Sequence, residues 1–432
     1  MNRWRISVSA LSALAALAAP SLCAQTPDPF LARAKALMQA TPMIDGHNDL
    51  PWEVRTRFGF SFDSLDISKD QTGKVMTDIP RLRAGMVGAQ FWSTYSPSTF
   101  EGKGAARVGF EQDDVVHRMV ARYPETFEMA YTAADIERIH KAGKIASLIG
   151  LEGGHMIENS LGLLRAFYAD GVRYMTLTHN GNTMWADAAA DSMVHRGLTP
   201  FGEEVVREMN RLGMLVDISH VSDSTMWDVL RVTQAPVFFS HSSSRHFSPH
   251  KRDVPDDILR AVARNGGVVM VNFYPTFLSA AMYEWDHRQT DYGRHLRAAH
   301  VDSTKVADSM RAWVAKNPPP LPDIKTVADH MDWIKQVAGV DHIGIGSDFD
   351  GIDIWPNGLS DVSTFPALIA ELLRRGWTDV DASKVIGGNA LRVMRENEAV
   401  AARLQHERGP SVAQIEVLDH WRTKPPLEGP AK

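Results

Sequence analysis

Eight short apolar runs rich in β-branched residues recur along the chain, at positions 43–44, 87–92, 145–151, 174–177, 215–218, 237–239, 268–273 and 342–346. Most are continuously apolar rather than alternating, which suits strands buried on both faces, as in a parallel sheet. Between many of them the apolar positions switch to helical spacing, at 161–169, 199–212, 222–232, 256–265 and 326–338. Eight such strands with intervening helices predict an α/β fold, a (β/α)8 TIM-like barrel rather than an open doubly wound sheet. No Gly-x-Gly-x-x-Gly follows a strand, which weakens a dinucleotide-binding reading. Between the seventh and eighth runs, 274–322 is long. It holds a polar, helix-like stretch at 292–315 and Pro318-Pro319-Pro320, and reads as a plain surface insertion, a lid or an interface element.

The polar residues that interrupt this pattern sit where the runs end. His47 and Asp49 follow the first run, Glu152 the third, His179 the fourth, His220 the fifth, His241 the sixth, and Asp348 with Asp350 the eighth. A (β/α)8 barrel builds its active site at the C-terminal ends of several strands at once. One histidine at a strand end is usually structural. Six of eight runs ending in a group that ligates metal or moves a proton is a different matter.

Composition then narrows the chemistry. The 432 residues carry 46 Lys+Arg against 52 Asp+Glu, a net charge of −6, which argues against nucleic acid as a partner. With 44% hydrophobic residues the chain has ample material for a core. A single cysteine against 17 histidines excludes an intramolecular disulfide and a thiolate zinc site, and leaves His, Asp and Glu as the metal ligands. Residues 1–24 have the form of a secretory signal peptide: Arg3 and Arg5, an apolar stretch at 6–19, then small residues up to Ala24. Cleavage there removes Cys23 and leaves 25–432 as one barrel domain, exported to a periplasmic or secreted location. The polar, Pro-rich stretch at 424–432 does not resemble a lipid-anchor signal, so no stable membrane anchor is expected.

His47 and Asp49 stand at i and i+2, and on extended backbone both point to one side. A carboxylate such as Glu152 can bridge two ions. One ion then takes His47, Asp49 and one oxygen of Glu152; the second takes the other oxygen, His220 and His241. Three protein ligands each, completed by a shared water, is the pattern of catalytic zinc rather than of a closed structural site. The donor set suits Zn²⁺ and leaves Mn²⁺, Co²⁺ and Fe²⁺ open. Asp348 and Asp350 are indistinguishable as proton carriers at this point. Trp52 is either a wall of the pocket or a core tryptophan, and His155 reads as structural or as supporting the site.

Several longer stretches closely resemble the membrane (renal) dipeptidase family of zinc peptidases. They are Ile44-Asp45-Gly46-His47-Asn48-Asp49-Leu50-Pro51-Trp52, the run 82–92, Glu152-Gly153-Gly154-His155, Thr176-Leu177-Thr178-His179-Asn180, Ser240-His241-Ser242-Ser243 and Gly346-Ser347-Asp348-Phe349-Asp350-Gly351. The resemblance runs in order from about Thr41 to Glu396. It implies a (β/α)8 barrel with two Zn²⁺, held by His47, Asp49, Glu152, His220 and His241 with Glu152 bridging. It also implies hydrolysis of dipeptides by a metal-bridging hydroxide. By the same resemblance His179 contacts the scissile carbonyl or its oxyanion, Arg252 clamps the terminal carboxylate, and Asp348, not Asp350, shuttles the proton. The lipid anchor and the intersubunit disulfide of mammalian members lack their residues here, so a homodimer of this chain is expected to be non-covalent. Two other readings stay open: a binuclear hydrolase of lactones or phosphotriesters, and an exported binding protein that kept the barrel.

Overall fold

The computed structural model describes residues 28–299 and 302–420, so the expected signal peptide lies outside the described residues. Nine strands run in chain order: β1 (Met43–Asn48), β2 (Val87–Tyr95), β3 (Phe127–Met129), β4 (Ile145–Glu152), β5 (Val172–Thr176), β6 (Leu215–Asp217), β7 (Phe238–Phe239), β8 (Val268–Val271) and β9 (Ile343–Ile345). Every pairing is parallel, and β2 pairs directly with β4, from Ala89↔Ala146 to Tyr95↔Glu152. That pairing closes β1, β2 and β4–β9 into an eight-stranded barrel, the expected (β/α)8 architecture. The ninth strand, β3, lies along the first residues of β4, where β5 has not yet begun to pair. Its three residues, Phe-Glu-Met, are too few to show a period.

The helices follow the sequence signals closely. Pro200–Leu212 starts from Thr199, whose side chain accepts the Gly202 N–H, and ends on Gly213 in the left-handed region. Asp223–Val232 starts from Ser222 in the same way, and Asp256–Asn265 closes on left-handed Gly266. The insertion differs from expectation. Its polar stretch is not one helix but parts of two, Ala280–Ala298 and Ser303–Lys316, with Asp302 capping the second through the Thr304 N–H. They pack on one another through Trp313, whose ring lies 5.6 Å from Trp285 and 6.0 Å from Tyr292.

Inside the barrel, Phe91, Tyr174 and Phe238 meet from three non-adjacent strands at ring separations of 5.2–5.7 Å. All three are fully buried. Gly150 makes this packing possible, because a Cβ there would collide with the Tyr174 ring. This aromatic plug is the floor on which the site rests.

Candidate functional site

At the C-terminal mouth of the barrel the strand ends converge. Two groups of donor atoms form around one carboxylate: His47, Asp49 and Glu152, and Glu152, His220 and His241. Glu152 Oε2 is 3.5 Å from His47 Nε2, and Oε1 is 3.1 Å from His220 Nε2 and 3.4 Å from His241 Nε2. Glu152 thus reaches each group with a different oxygen. His47 Nε2 lies 3.2 Å from Asp49 Oδ2. That contact does not arise from extended backbone, as the i, i+2 argument supposed. Asp49 has φ −97° and ψ 21° and precedes helix Leu50–Arg57 as its N-cap residue; the turn into the helix brings its carboxylate back over His47. A third group joins Asp348 to His47 and His241.

Hydrogen bonds beneath the cluster fix two of the rings. His47 Nδ1 meets the Tyr174 hydroxyl at 2.8 Å. Ser240 Oγ donates to Asp217 Oδ2 (2.7 Å) and therefore accepts from His241 Nδ1, also at 2.7 Å. This leaves the Nε2 lone pair of His241 facing the cluster. Asp217 is itself held by Thr176 Oγ1, Ser219 N and Ser240 N. Such outer partners orient metal-binding histidines and fix their tautomers.

The donor set fits divalent metal. His47 Nε2 is a buried nitrogen with no hydrogen-bond partner, and the two imidazole nitrogens of His220 and His241 face one another at 2.9 Å. A buried polar atom without a partner, such as His47 Nε2, is uncommon, and a cation in its donor group would satisfy it, as one in the other group would take the facing lone pairs of His220 and His241. Burial holds His220 and His241 well below the usual imidazole range, with Arg252 adding to the effect on both, so both are neutral and able to coordinate. His220 and Asp348 adopt positive φ, 67° and 66°, an uncommon conformation for such residues that concentrates at functional sites. Gly351 keeps the space above Asp49 and Asp348 clear, since a Cβ there would run into both carboxylates.

A cavity of about 770 Å³ opens over the cluster, lined among others by Trp52, Tyr95, His179, Asn180, Arg252, Tyr274 and Phe277. Trp52 is therefore a wall, packed edge-on against Tyr95 at 5.0 Å. His179 stacks near His220 at 4.4 Å and places Nε2 3.8 Å from Glu152 Oε1; burial holds it below the usual range and so neutral. Arg252 is 3% exposed. Its Nη atoms reach Ser242 Oγ (3.3 Å) and the His241 carbonyl (3.2 Å), while its Nε has no partner. A buried guanidinium without a carboxylate is an incomplete arrangement. Burial pushes Asp348 up to about 7, with Asp49 and Glu152 adding and His47 opposing. Asn272 donates to its Oδ2 at 2.9 Å. Asp350 also lines the cavity, but its Oδ1 takes the Met76 N–H at 2.5 Å and it joins none of the donor groups. His155 is buried and likewise outside them.

The two strands that ended without an obvious chemical group also contribute. Ser93 on β2 donates to Glu152 Oε2 at 3.2 Å, and Asn272 follows β8. Both lie in or just after apolar runs, and a polar residue at the C-terminal end of such a run was the available signal. Tyr174 gave none, because its partner His47 is 127 residues away, and the role of Ser240 beside His241 shows only with Asp217, 23 residues away.

The sequence model of membrane dipeptidase (peptidase family M19) matches residues 31–408. Dipeptidase 3 of Rattus norvegicus is 42% identical over 373 residues, covering 85% of this chain and 67% of the relative. Dipeptidase 3 of Mus musculus is 41% identical over the same shares. Among solved structures, the probable dipeptidase PvdM from Pseudomonas aeruginosa matches with a TM-score of 0.74 at 24% identity, covering 87% of this chain and 100% of that one. A metallopeptidase from Rhodobacter sphaeroides, liganded with a phosphinate mimic of the dipeptide L-Ala-D-Ala, matches with a TM-score of 0.66 at 22% identity, covering 83% and 99%. These structural likenesses establish a shared fold.

Proposed function

The chain belongs to the membrane dipeptidase family and is a metallo-dipeptidase, and from that premise we propose a zinc-dependent hydrolysis of dipeptides that bear a free C-terminal carboxylate. One observation carries this reading: the buried, incompletely partnered guanidinium of Arg252 shares a cavity with the His and carboxylate cluster. Two divalent cations, zinc by the His and carboxylate donor set, would be held by His47 and Asp49, by His220 and His241, and by Glu152, which belongs to both donor groups. When bound, they supply the positive charge that acidifies a water and polarises the scissile carbonyl.

The chain's own residues do the rest. Arg252 binds the substrate carboxylate through two parallel N–H donors, which fixes one end of the dipeptide. Neutral His179 donates an N–H to the carbonyl oxygen as negative charge develops there. Asp348, held at Oδ2 by Asn272, takes a proton from the attacking water and returns it to the leaving amine. A carboxyl near 7 suits both halves of that transfer. We also propose export after cleavage near Ala24 and, where copies associate, a non-covalent homodimer. Among the described residues no helix is long and apolar enough to cross a membrane. The decisive experiment compares turnover of Ala-Ala with that of Ala-Ala amide by zinc-reconstituted protein. Selective cleavage of the free acid is expected, and equal rates would sink the Arg252 assignment. N-terminal sequencing of the exported protein tests the cleavage site.

A further inference from the structure

The Arg252 guanidinium makes only two hydrogen bonds, to Ser242 Oγ and the His241 carbonyl, and both are long. Its direction therefore depends on the backbone that carries it, which is a tight turn. The Asp253 N–H donates to the His250 carbonyl at 3.0 Å and closes His250-Lys251-Arg252-Asp253, with Arg252 at the third position. The His250 side chain closes the turn a second time, because its Nδ1 accepts the Arg252 N–H at 3.1 Å. Asp and Asn usually make this contact from the first position of a turn, through Oδ1 to the N–H two residues on. Histidine Nδ1 stands at the same place along the side chain. From the other side Arg245 holds the turn, with Nε on the Asp253 carbonyl at 2.8 Å and an Nη on the Lys251 carbonyl at 3.0 Å.

The foot of the insertion fixes the His250 ring. That ring lies 4.6 Å from Phe277, tilted by 44°, and meets Tyr283 edge-on at 5.7 Å. Phe277 belongs to the short helix Pro275–Leu278 and Tyr283 to Ala280–Ala298, so both come from the segment 274–322. The guanidinium carbon of Arg252 lies 5.3 Å from the same Phe277 ring. Two hydrogen bonds fasten the foot to the loop before the turn: Ser248 Oγ donates to the Thr276 carbonyl, and the Ala280 N–H donates to the Phe247 carbonyl, both at 2.8 Å. Burial, with Arg252, His287 and Arg245 adding, holds His250 at about 4. The ring is thus neutral at ordinary pH, with its proton on Nε2 and its Nδ1 lone pair free for the Arg252 N–H. His250, Arg252 and Phe277 line one cavity with the donor cluster.

We propose that His250 is a positioning residue for the Arg252 clamp, and that the foot of the insertion holds it in that role. The inference rests on the reading of Arg252 as the carboxylate clamp and gives the segment 274–322 a part in it. His250 acts through Arg252. Without Nδ1 the Arg252 N–H loses its partner, the turn loosens, and the guanidinium is less often aimed at the carboxylate. Two parallel N–H donors need a fixed guanidinium plane, so the loss falls on dipeptide binding rather than on the chemical step. One neutral hydrogen bond corresponds to about 2- to 10-fold in KM.

The test measures KM and kcat of the zinc-loaded enzyme for Ala-Ala in His250→Ala, His250→Phe and His250→Asn, each alone and combined with Arg252→Ala, with thermal melting as the check on folding. His250→Phe keeps a ring against Phe277 and loses the acceptor. His250→Asn keeps an acceptor for the N–H two residues on and loses the ring. His250→Ala and His250→Phe are expected to raise KM about 2- to 10-fold with kcat little changed, and His250→Asn to restore most of the wild-type KM. In the Arg252→Ala background none of the three is expected to raise KM further, because the effect passes through one side chain. A wild-type KM in His250→Phe, equal losses in His250→Phe and His250→Asn, or losses that add in full to that of Arg252→Ala overturn the positioning role and leave the clamp intact. The Phe and Asn variants decide alone where His250→Ala does not fold. An unchanged KM in Arg252→Ala overturns both the clamp and its positioning.

Discussion

Tyr174→Phe isolates what the barrel's aromatic floor does for the proposed metal site. The substitution removes one oxygen and little else, since the ring keeps its contacts with Phe91 and Phe238 and its place over Gly150. The lost oxygen is the hydrogen-bond partner of His47 Nδ1 at 2.8 Å, and both side chains are fully buried, so no solvent water takes its place. Leaving a buried imidazole N–H unsatisfied costs about 1–3 kcal/mol. Removing such an outer partner of a metal-binding histidine typically weakens the metal about 10- to 100-fold, or about 1.4–2.8 kcal/mol. The geometry further says which site suffers. His47 stands with Asp49 and Glu152, whereas His220 and His241 form the other group, with His241 oriented independently by Ser240 and Asp217. Titration of the metal-free protein with Zn²⁺ against a chromophoric chelator should therefore show one weakened affinity and one close to wild type. Two unchanged affinities would refute the orienting role of Tyr174. Equal weakening of both would mean that the floor positions the cluster as a whole.

Three further outcomes are expected. Glu152→Gln, which removes the carboxylate charge shared by both donor groups, should abolish dipeptide turnover and lower the zinc content measured by elemental analysis; full turnover would contradict the bridging assignment. Arg252→Ala should raise KM for dipeptides by about 10- to 1000-fold, as expected for loss of a charge-assisted clamp worth about 1.5–4 kcal/mol, while leaving Ala-Ala amide turnover nearly unaffected; parallel losses on both substrates would count against it. His330 accepts the Ser244 N–H at Nδ1 and so carries its proton on Nε2, donated to the Leu278 carbonyl at 3.0 Å; burial holds its pKa at about 4, below the unfolded value of 6.5. The unfolded chain therefore binds the extra proton first as pH falls, so stability is complete above pH 6.5 and declines down to about pH 4, by about 3 kcal/mol at most. Denaturant unfolding at pH 7.5 and 5.0 should show this loss in wild type and a smaller one in His330→Gln; an identical loss in both would refute it.

Legibility from sequence followed a physical division. The barrel could be read because burial on both faces of a parallel strand leaves continuous apolar runs, and because capping residues such as Thr199 and Ser222 mark helix starts locally. The five residues in the two donor groups around Glu152 could be read because their chemistry lies in their own side chains. What supports them could not, because its meaning lies in long-range contacts: Tyr174 is 127 residues from His47, and Asn272 is 76 from Asp348.

The choice between Asp348 and Asp350 shows where that limit falls. The two carboxylates are two residues apart, and both have φ 66° and a pKa raised by burial to about 7. Nothing local separates them. The difference comes from what meets each: Asn272 and the His47 and His241 nitrogens for Asp348, the Met76 backbone for Asp350. A carboxylate held by a backbone N–H on a loop is tied to structure. Each carboxylate leaves an oxygen without that partner, but only Asp348 stands beside the donor cluster, where a proton can be passed on. The same dependence on distant partners applies to the strand ends that looked silent, where Ser93 bonds Glu152 Oε2 and Asn272 bonds Asp348 Oδ2, each fixing the orientation of a carboxylate at the cluster.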